Sequence, residues 1–213
     1  YVPNQERKIY EDAMVREGLG DFSITERNQL GQLVPAAERK SYVAVTFIEP
    51  YAENKSAQGF DVSSEENRKR ALLFANQTGS AAMTAPLTLL QENKASLSYL
   101  IFMPVYKTLD VPKTLAMREA LLRGYVTALI KINYQIEAVH NKFSKKDFLI
   151  RFDDVTEKEN PINLYDDGNP STVTPAFHWQ LQKNIAGREL KLSVMPTDAY
   201  LTKQRSTQSW YVL

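Results

Sequence analysis

The sequence predicts an α+β fold built from two modules in tandem behind an N-terminal helix. Three observations carry that prediction. Apolar runs of strand length alternate with segments whose apolar residues recur every three or four positions, as a half-buried helix requires. The order strand, helix, strands occurs once before Gly124 and again after it, which points to two similar α+β domains rather than one doubly wound sheet. The 213 residues are enough for two domains of about 100 each.

In chain order, residues 4–16 read as the first helix. Asn4 is its cap, Ile9, Ala13, Met14 and Val15 are its apolar contacts, and Gly18 lies just past its end. A short strand follows at 22–27. Residues 28–40 are polar and turn-rich and read as loop. The central unit spans 42–106. It holds a strand-like run at 42–50, a turn at Gly59-Phe60-Asp61, a helix at 63–78, and strands over 81–90 and 96–103 joined by the polar turn Glu92-Asn93-Lys94. Ser63 with Glu66 matches a capping box. Ala71, Leu72, Phe74, Ala75 and Thr78 supply the helix's inner face, Arg68, Lys69 and Arg70 its wet one, and Gly79 its stop. Asp61 is read as bonding turn amides rather than facing a ligand.

Residues 108–124 read as a second helix and as the divider between the modules. Asp110 is its cap, Pro112 sits where a missing N–H costs nothing, Leu115, Ala116, Leu121 and Leu122 face inward, and Gly124 is its stop. Beyond it come a strand at 125–132, a helix at 133–145 with Ile136, Ala138, Val139 and Phe143 inward, and strands at 148–152 and 160–165. A loop of turn formers at 166–170 precedes two alternating runs, 177–183 and 190–194, joined as a hairpin through 184–188.

Composition narrows the functional classes. The 26 basic and 25 acidic side chains leave a formal charge of +1, with one sign concentrated only at Arg68-Lys69-Arg70, so a nucleic-acid groove is not expected. The absence of cysteine excludes a disulfide framework and a thiolate zinc site. No apolar run approaches the roughly 18 to 20 residues of a membrane helix, and no signal peptide is visible. The start at Tyr1-Val2-Pro3 and the end at Trp210-Tyr211-Val212-Leu213 look like the cut ends of a longer chain. That last cluster reads either as a trimmed membrane-interface belt or as a plain terminal strand.

Catalytic chemistry finds few candidates. His140 and His178 lie far apart with no metal-ligand spacing around either, and both read as ordinary half-buried or surface histidines. No Gly-x-Ser-x-Gly elbow and no phosphate-cradling glycine loop occurs. The acid pairs Asp153-Asp154 and Asp166-Asp167 read as solvated turns. No enzyme, cofactor or metal is expected. A small-molecule pocket is the remaining candidate: residues 83–90 facing 99–106 combine apolar walls with the Thr84 hydroxyl and with prolines that free neighbouring backbone groups. The same pattern also fits a strand threonine surrounded by core.

A set of motifs in fixed order adds a resemblance. Tyr1-Val2-Pro3, Arg7, Tyr10-Glu11, Ile24-Thr25-Glu26-Arg27, Tyr42, Phe47-Ile48-Glu49-Pro50, Asn54, Gly59-Phe60-Asp61, Ser64 and Arg68-Lys69 are followed by Ala75, Thr78-Gly79, Thr84-Ala85-Pro86-Leu87, Gln91 and Pro104-Val105-Tyr106. Together they resemble the CHASE domain, the extracytoplasmic sensor of bacterial histidine kinases and diguanylate cyclases and of plant cytokinin receptors. The resemblance covers roughly residues 1–126.

It implies two tandem PAS-like domains after a stalk helix. Residues 1–20 would be the end of that helix, 21–110 a membrane-distal ligand-binding domain, 111–124 a linker helix and 125–213 a membrane-proximal domain. It further implies a periplasmic or extracellular location, flanking transmembrane helices and a homodimer in the full-length receptor. In the plant receptors an acidic side chain, a Leu and a Thr hold an adenine-type ligand. Thr84 matches the Thr-x-Pro element of the family and Leu90 the Leu, while Arg68 falls at the acidic position and Phe102 at the later Thr. Leu87 and Pro104, inside the matching motifs, complete the expected ligand-binding set. A cation at position 68 suits an anionic ligand such as a carboxylate better than adenine. A dimerisation or spacer module with Phe102 as a plug is the alternative.

Overall fold

A computed structural model describes residues 1–88, 97–140, 142, 147–168 and 178–204. The elements are β1 (Val2–Pro3), α1 (Arg7–Arg16), β2 (Thr25–Arg27), β3 (Leu33–Pro35), β4 (Ser41–Tyr42), α2 (Tyr51–Asn54), α3 (Glu66–Thr78), β5 (Ala82–Met83), β6 (Leu87–Thr88) and β7 (Leu97–Tyr106). They continue with α4 (Leu115–Leu121), β8 (Leu122–Lys131), α5 (Ile132–His140), β9 (Phe148–Asp154), β10 (Ile162–Asp166), β11 (Trp179–Ile185), β12 (Arg188–Pro196) and α6 (Asp198–Gln204). The fold is α+β, with antiparallel strand pairs and flanking helices and a helix at the N-terminus. The chain divides into two compact units, 1–84 with 101–128 and 85–100 with 129–213.

In the first unit α1 is preceded by a 3-10 turn, and Asn4 does not cap it. The Asn4 amide donates instead to Glu38 and accepts the Tyr42 hydroxyl. Only Met14 of α1 is fully buried, joining Val2, Phe22, Ile24, Ala36 and Tyr42 in a core cluster. Ile9 and Val15, expected inside, are 67% and 45% exposed. Arg7 anchors the helix to its surroundings: its guanidinium donates to Ala36 O, Ile24 O and Tyr42, and pairs with Glu11.

Residues 28–40 are not all loop, since β3 pairs antiparallel with β2. The run 42–50 yields only the short β4 paired with β1, then a bridge from Ala44 to Asp61. Asp61 explains that geometry. It is fully buried, and its Oδ1 accepts from Val43 N at 2.8 Å, Ser63 N at 3.0 Å and Ser63 Oγ at 2.6 Å, while Oδ2 meets Arg39 Nη1 at 2.9 Å. Ser63 is thereby consumed as a donor, and a 3-10 turn precedes α3 in place of the expected capping box.

α3 buries Ala71, Leu72, Ala75 and Asn76, with Arg68 extending the same stripe one turn toward the N-terminus. Phe74 and Thr78 point outward, contrary to the sequence pattern. Asn76 accepts from the Tyr106 hydroxyl, a polar contact that lets an amide sit on the inner face. Gly79 ends the helix in the left-handed region at φ 69° and donates to Ala75 O.

α4 is shorter than expected. Thr114 rather than Asp110 caps it, accepting from Met117 N, and the chain passes directly into β8 at Leu122, so Gly124 lies inside a strand. Leu115 and Ala116 are exposed.

In the second unit β9 lies between β10 and β12, with β11 at the edge, all antiparallel. β11 and β12 form the expected hairpin, which turns at Ala186 and Gly187 with positive φ. Ile132, Ile136 and His140 form the buried face of α5. Asp153 and Asp154 are not turn residues: they close β9 and are buried. Asp154 Oδ2 accepts from the Tyr99 hydroxyl at 2.8 Å and Arg188 Nε at 2.5 Å, while Oδ1 accepts from Thr156 N at 3.0 Å. Asp153 pairs with Arg151 and accepts from Asn163. Such partners are what a buried carboxylate needs, and they turn an apparent loop signal into part of a sheet.

Candidate ligand-binding site

The expected site residues fall on several elements. Arg68, Thr84, Phe102 and Pro104 belong to the first unit and Leu87, on β6, to the second. Leu90 lies outside the described residues.

In the first unit β5 and β7 pair with Ala82 opposite Phe102 and Met83 opposite Ile101. Opposed residues share a face, and so do residues two apart. Phe102, Pro104 and Tyr106 therefore line the same side of β7, and Thr84 continues the Ala82 side just beyond β5. That face is the one toward α3, because Tyr106 reaches Asn76 and the hydroxyl of Tyr125 on β8 donates to Leu72 O at 3.2 Å. Thr84 is 1% exposed, Phe102 is 0% and Pro104 is buried. The Phe102 ring meets Tyr125 edge to face, with centroids 6.3 Å apart. Burial pushes the Tyr125 phenol well above its ordinary range, so it stays a hydrogen-bond donor.

Arg68 sits at the N-terminal end of this helix–sheet layer. Its Nε lies 2.8 Å from Glu65 Oε2, and its guanidinium packs over the Phe60 ring at 5.3 Å from the centroid. Arg27 lies over the same ring at 5.9 Å and within 4.0 Å of Glu65. Burial pulls the Arg68 guanidinium below its ordinary value; Glu65 opposes that and Arg27 adds to it. The sequence pattern classed Arg68 as solvated, and the helix register instead carries it inward. Phe60 as a shared platform for two arginines had no sequence signal beyond the Gly59-Phe60-Asp61 motif.

His178 is exposed, and His140 is buried with Nε2 2.9 Å from Asp167 Oδ2. Among the described residues no group of three or more His, Asp or Glu is placed to hold a metal ion, and no helix is long and apolar enough to cross a membrane. On α1 a solvent-open groove is lined by Ile9, Asp12, Val15 and Arg16.

The first unit thus holds Thr84, Phe102 and Pro104 in one buried helix–sheet layer with Arg68 at its edge, the kind of apolar wall with a few polar groups that small-molecule sites use. Comparison with known proteins gives the particular family. The CHASE domain model matches residues 1–165, and the chain belongs to that family. It is also similar to a protein named probable histidine kinase 4 from Oryza sativa subsp. japonica, 27% identical over 124 residues. That alignment covers 57% of this chain and 12% of the rice protein, so the chain spans about an eighth of that relative's length. The chain is thus an extracytoplasmic sensor module of the kind found in membrane receptors.

Proposed function

We propose that the chain is the ligand-sensing part of a membrane-bound signalling receptor, a sensor histidine kinase or a diguanylate cyclase, and has no catalytic step of its own. A small molecule binds in a membrane-distal PAS-like domain at 21–110. The linker helix and a membrane-proximal PAS-like domain at 125–213 relay its binding toward flanking transmembrane helices. The module lies on the periplasmic or extracellular side, and the receptor acts as a homodimer. The outward apolar residues Ile9 and Val15 on α1 favour a self-association surface there.

The observation that carries this reading is the CHASE match over residues 1–165. The ligand-contacting set is Arg68, Thr84, Leu87, Leu90, Phe102 and Pro104. Of these, Thr84 supplies a hydroxyl on the inner face and Arg68 a positive charge at its edge. Differential affinity for two arrangements of the domain is the only way such binding can become a signal.

Thermal unfolding of the purified chain against carboxylates, amino acids, purines and cytokinins tests it. A ligand at about a hundred times its dissociation constant adds about 2.7 kcal/mol, a rise of several degrees. Thr84→Trp should abolish that rise. No response to any compound in the panel would overturn the ligand reading.

One observation favours a second reading, a dimerisation or spacer module without ligand: Phe102 is fully buried against Tyr125 and fills the layer itself. Under that reading Phe102→Ala costs about 3–5 kcal/mol and creates a void. No compound then stabilises the unmutated chain.

A further inference from the structure

We propose that Arg27 and Arg68, with the Thr25 hydroxyl, form a receptor for an oxyanion group of the ligand, and that the Glu65 carboxylate holds this position until the ligand arrives. The inference deepens the ligand-sensing reading of the first unit and rests on it.

Buried side-chain polar atoms in folded proteins nearly always find a hydrogen-bond partner, so the exceptions point to something. Two of the exceptions in this chain are Thr25 Oγ1, on the residue bridged through its backbone to Phe60, and Arg68 Nε, whose guanidinium lies over the Phe60 ring. Thr25 is bridged to Phe60, and Arg27, two residues on, shares its face of β2. The Arg27 and Arg68 guanidiniums both lie over the Phe60 ring, at 5.9 and 5.3 Å. Two cations are therefore gathered over an apolar platform that is itself only 5% exposed, with the Thr25 hydroxyl on the strand bridged to it.

The charge around this platform is unbalanced. Glu26, next to Arg27 in sequence, is taken by Arg39. Among the described residues Glu65 is the carboxylate shared by both cations, 2.8 Å from Arg68 Nε and 4.0 Å from Arg27 Nε, while Arg27 Nη1 also donates to Gly31 O at 2.7 Å. The short contact with Arg68 is a charge contact and not an aligned hydrogen bond, since Nε remains without a directed acceptor. Glu65 also forgoes the service its position offers: it is the N-cap residue of α3, yet its side chain makes no capping bond. A carboxylate one-third exposed, poorly aligned and released from capping is a placeholder that a better-fitting anion can displace. Guanidinium forks match planar carboxylates and phosphates through paired N–H donors, which names the ligand class.

The test is a titration of the purified chain with succinate and, separately, inorganic phosphate, at constant ionic strength made up with sodium chloride and read by thermal shift. Glu65→Gln removes the competing charge and should lower the half-saturating anion concentration at least tenfold. Arg27→Gln with Arg68→Gln should raise it at least tenfold or abolish the response. Arg70→Gln, on the exposed face of α3, should change nothing. A response to succinate alone assigns a carboxylate ligand, and to phosphate alone a phosphate.

The inference is overturned if Glu65→Gln responds no more to either anion than to chloride, or if its response survives loss of both arginines. Thr84→Trp separates the two proposals. A compound whose effect is lost in Thr84→Trp but kept without the arginines upholds the sensing pocket and removes the oxyanion receptor. Anion binding lost without the arginines but kept in Thr84→Trp upholds the receptor and removes Thr84 from the site.

Discussion

Replacing Asp61 by alanine should be the most damaging single change in the first unit. The side chain is fully buried, and its carboxylate accepts from Val43 N, Ser63 N and Ser63 Oγ while meeting Arg39 Nη1 at 2.9 Å. Each bond to a charged acceptor contributes about 1.5–3 kcal/mol, but the contributions share one carboxylate and do not add. The better guide is the loss of one partner of a buried ion pair, about 3–5 kcal/mol, because the Val43 and Ser63 amides lose their acceptor and Arg39 keeps only Glu26. For a chain of this size that lowers the melting temperature by about 6–20 °C. Asn keeps the Oδ1 acceptor but sets an amide donor in place of Oδ2 against Arg39 Nη1, so Asp61→Asn should cost less than Ala, about 1–3 kcal/mol. Urea denaturation followed by circular dichroism, with stability taken by linear extrapolation, measures both. A loss below about 1 kcal/mol for Asp61→Ala at unchanged slope, or Asn as harmful as Ala, would refute the assignment of Asp61 as the clamp of this turn.

Three further outcomes are expected. Gly79→Ala must adopt φ 69° with a Cβ 2.6 Å from Val111 Cγ1, so beyond the about 1–2 kcal/mol of a left-handed alanine it has to displace a neighbour; calorimetry should show a loss of at least that size. Arg118→Met frees the carbonyls of Asn76, Gln77, Pro112 and Lys113, and should cost about 1–3 kcal/mol and speed amide exchange at the last turn of α3. Asp154 governs the acid limb of the second unit. Burial would raise its pKa, but Arg188, Thr156 and Tyr99 outweigh burial and hold it below the usual carboxylate value. A folded pKa depressed in this way contributes stability that is present above the unfolded value, about 3.9, and is lost as pH falls through the folded one. Stability measured between pH 5 and pH 2, values chosen to bracket that window as about one unit above and two below it, should therefore fall less steeply in Asp154→Asn than in the unmutated chain.

Local signals with a single physical reading survived folding. Gly79 as a left-handed stop, Asp61 as a turn clamp and the β11–β12 hairpin each depend on neighbours in sequence, and each was legible. Signals that depend on competition were not. Ser63 could cap α3 only if the helix began directly after it, but Asp61 caps a 3-10 turn through Ser63 N and α3 starts at Glu66. Asn76 and Phe74 exchange their expected faces because Tyr106 offers Asn76 a partner across the layer, which no spacing along α3 reveals. Asp153 and Asp154 read as turn formers, since Arg188, the cation of Asp154, becomes a neighbour only when β9 pairs with β12, and Arg151 falls on the same face as Asp153 only once both lie in an extended strand. Of the expected ligand-binding residues, Thr84, Phe102 and Pro104 lie in one buried layer of the first unit. The pairing of Arg27 and Arg68 over Phe60 needed the helix register and the β2 bridge together.

The Arg118 brace has a mechanical meaning. One guanidinium ties the carbonyls of Asn76 and Gln77, at one end of a rod about 20 Å long, to those of Pro112 and Lys113 just ahead of α4. The other end of the rod carries Arg68 and its counter-ion Glu65. Because α4 runs into β8 without an intervening loop, there is no slack segment after the brace to absorb a displacement. The C-terminal end of α3 is therefore held fast to the chain that enters β8.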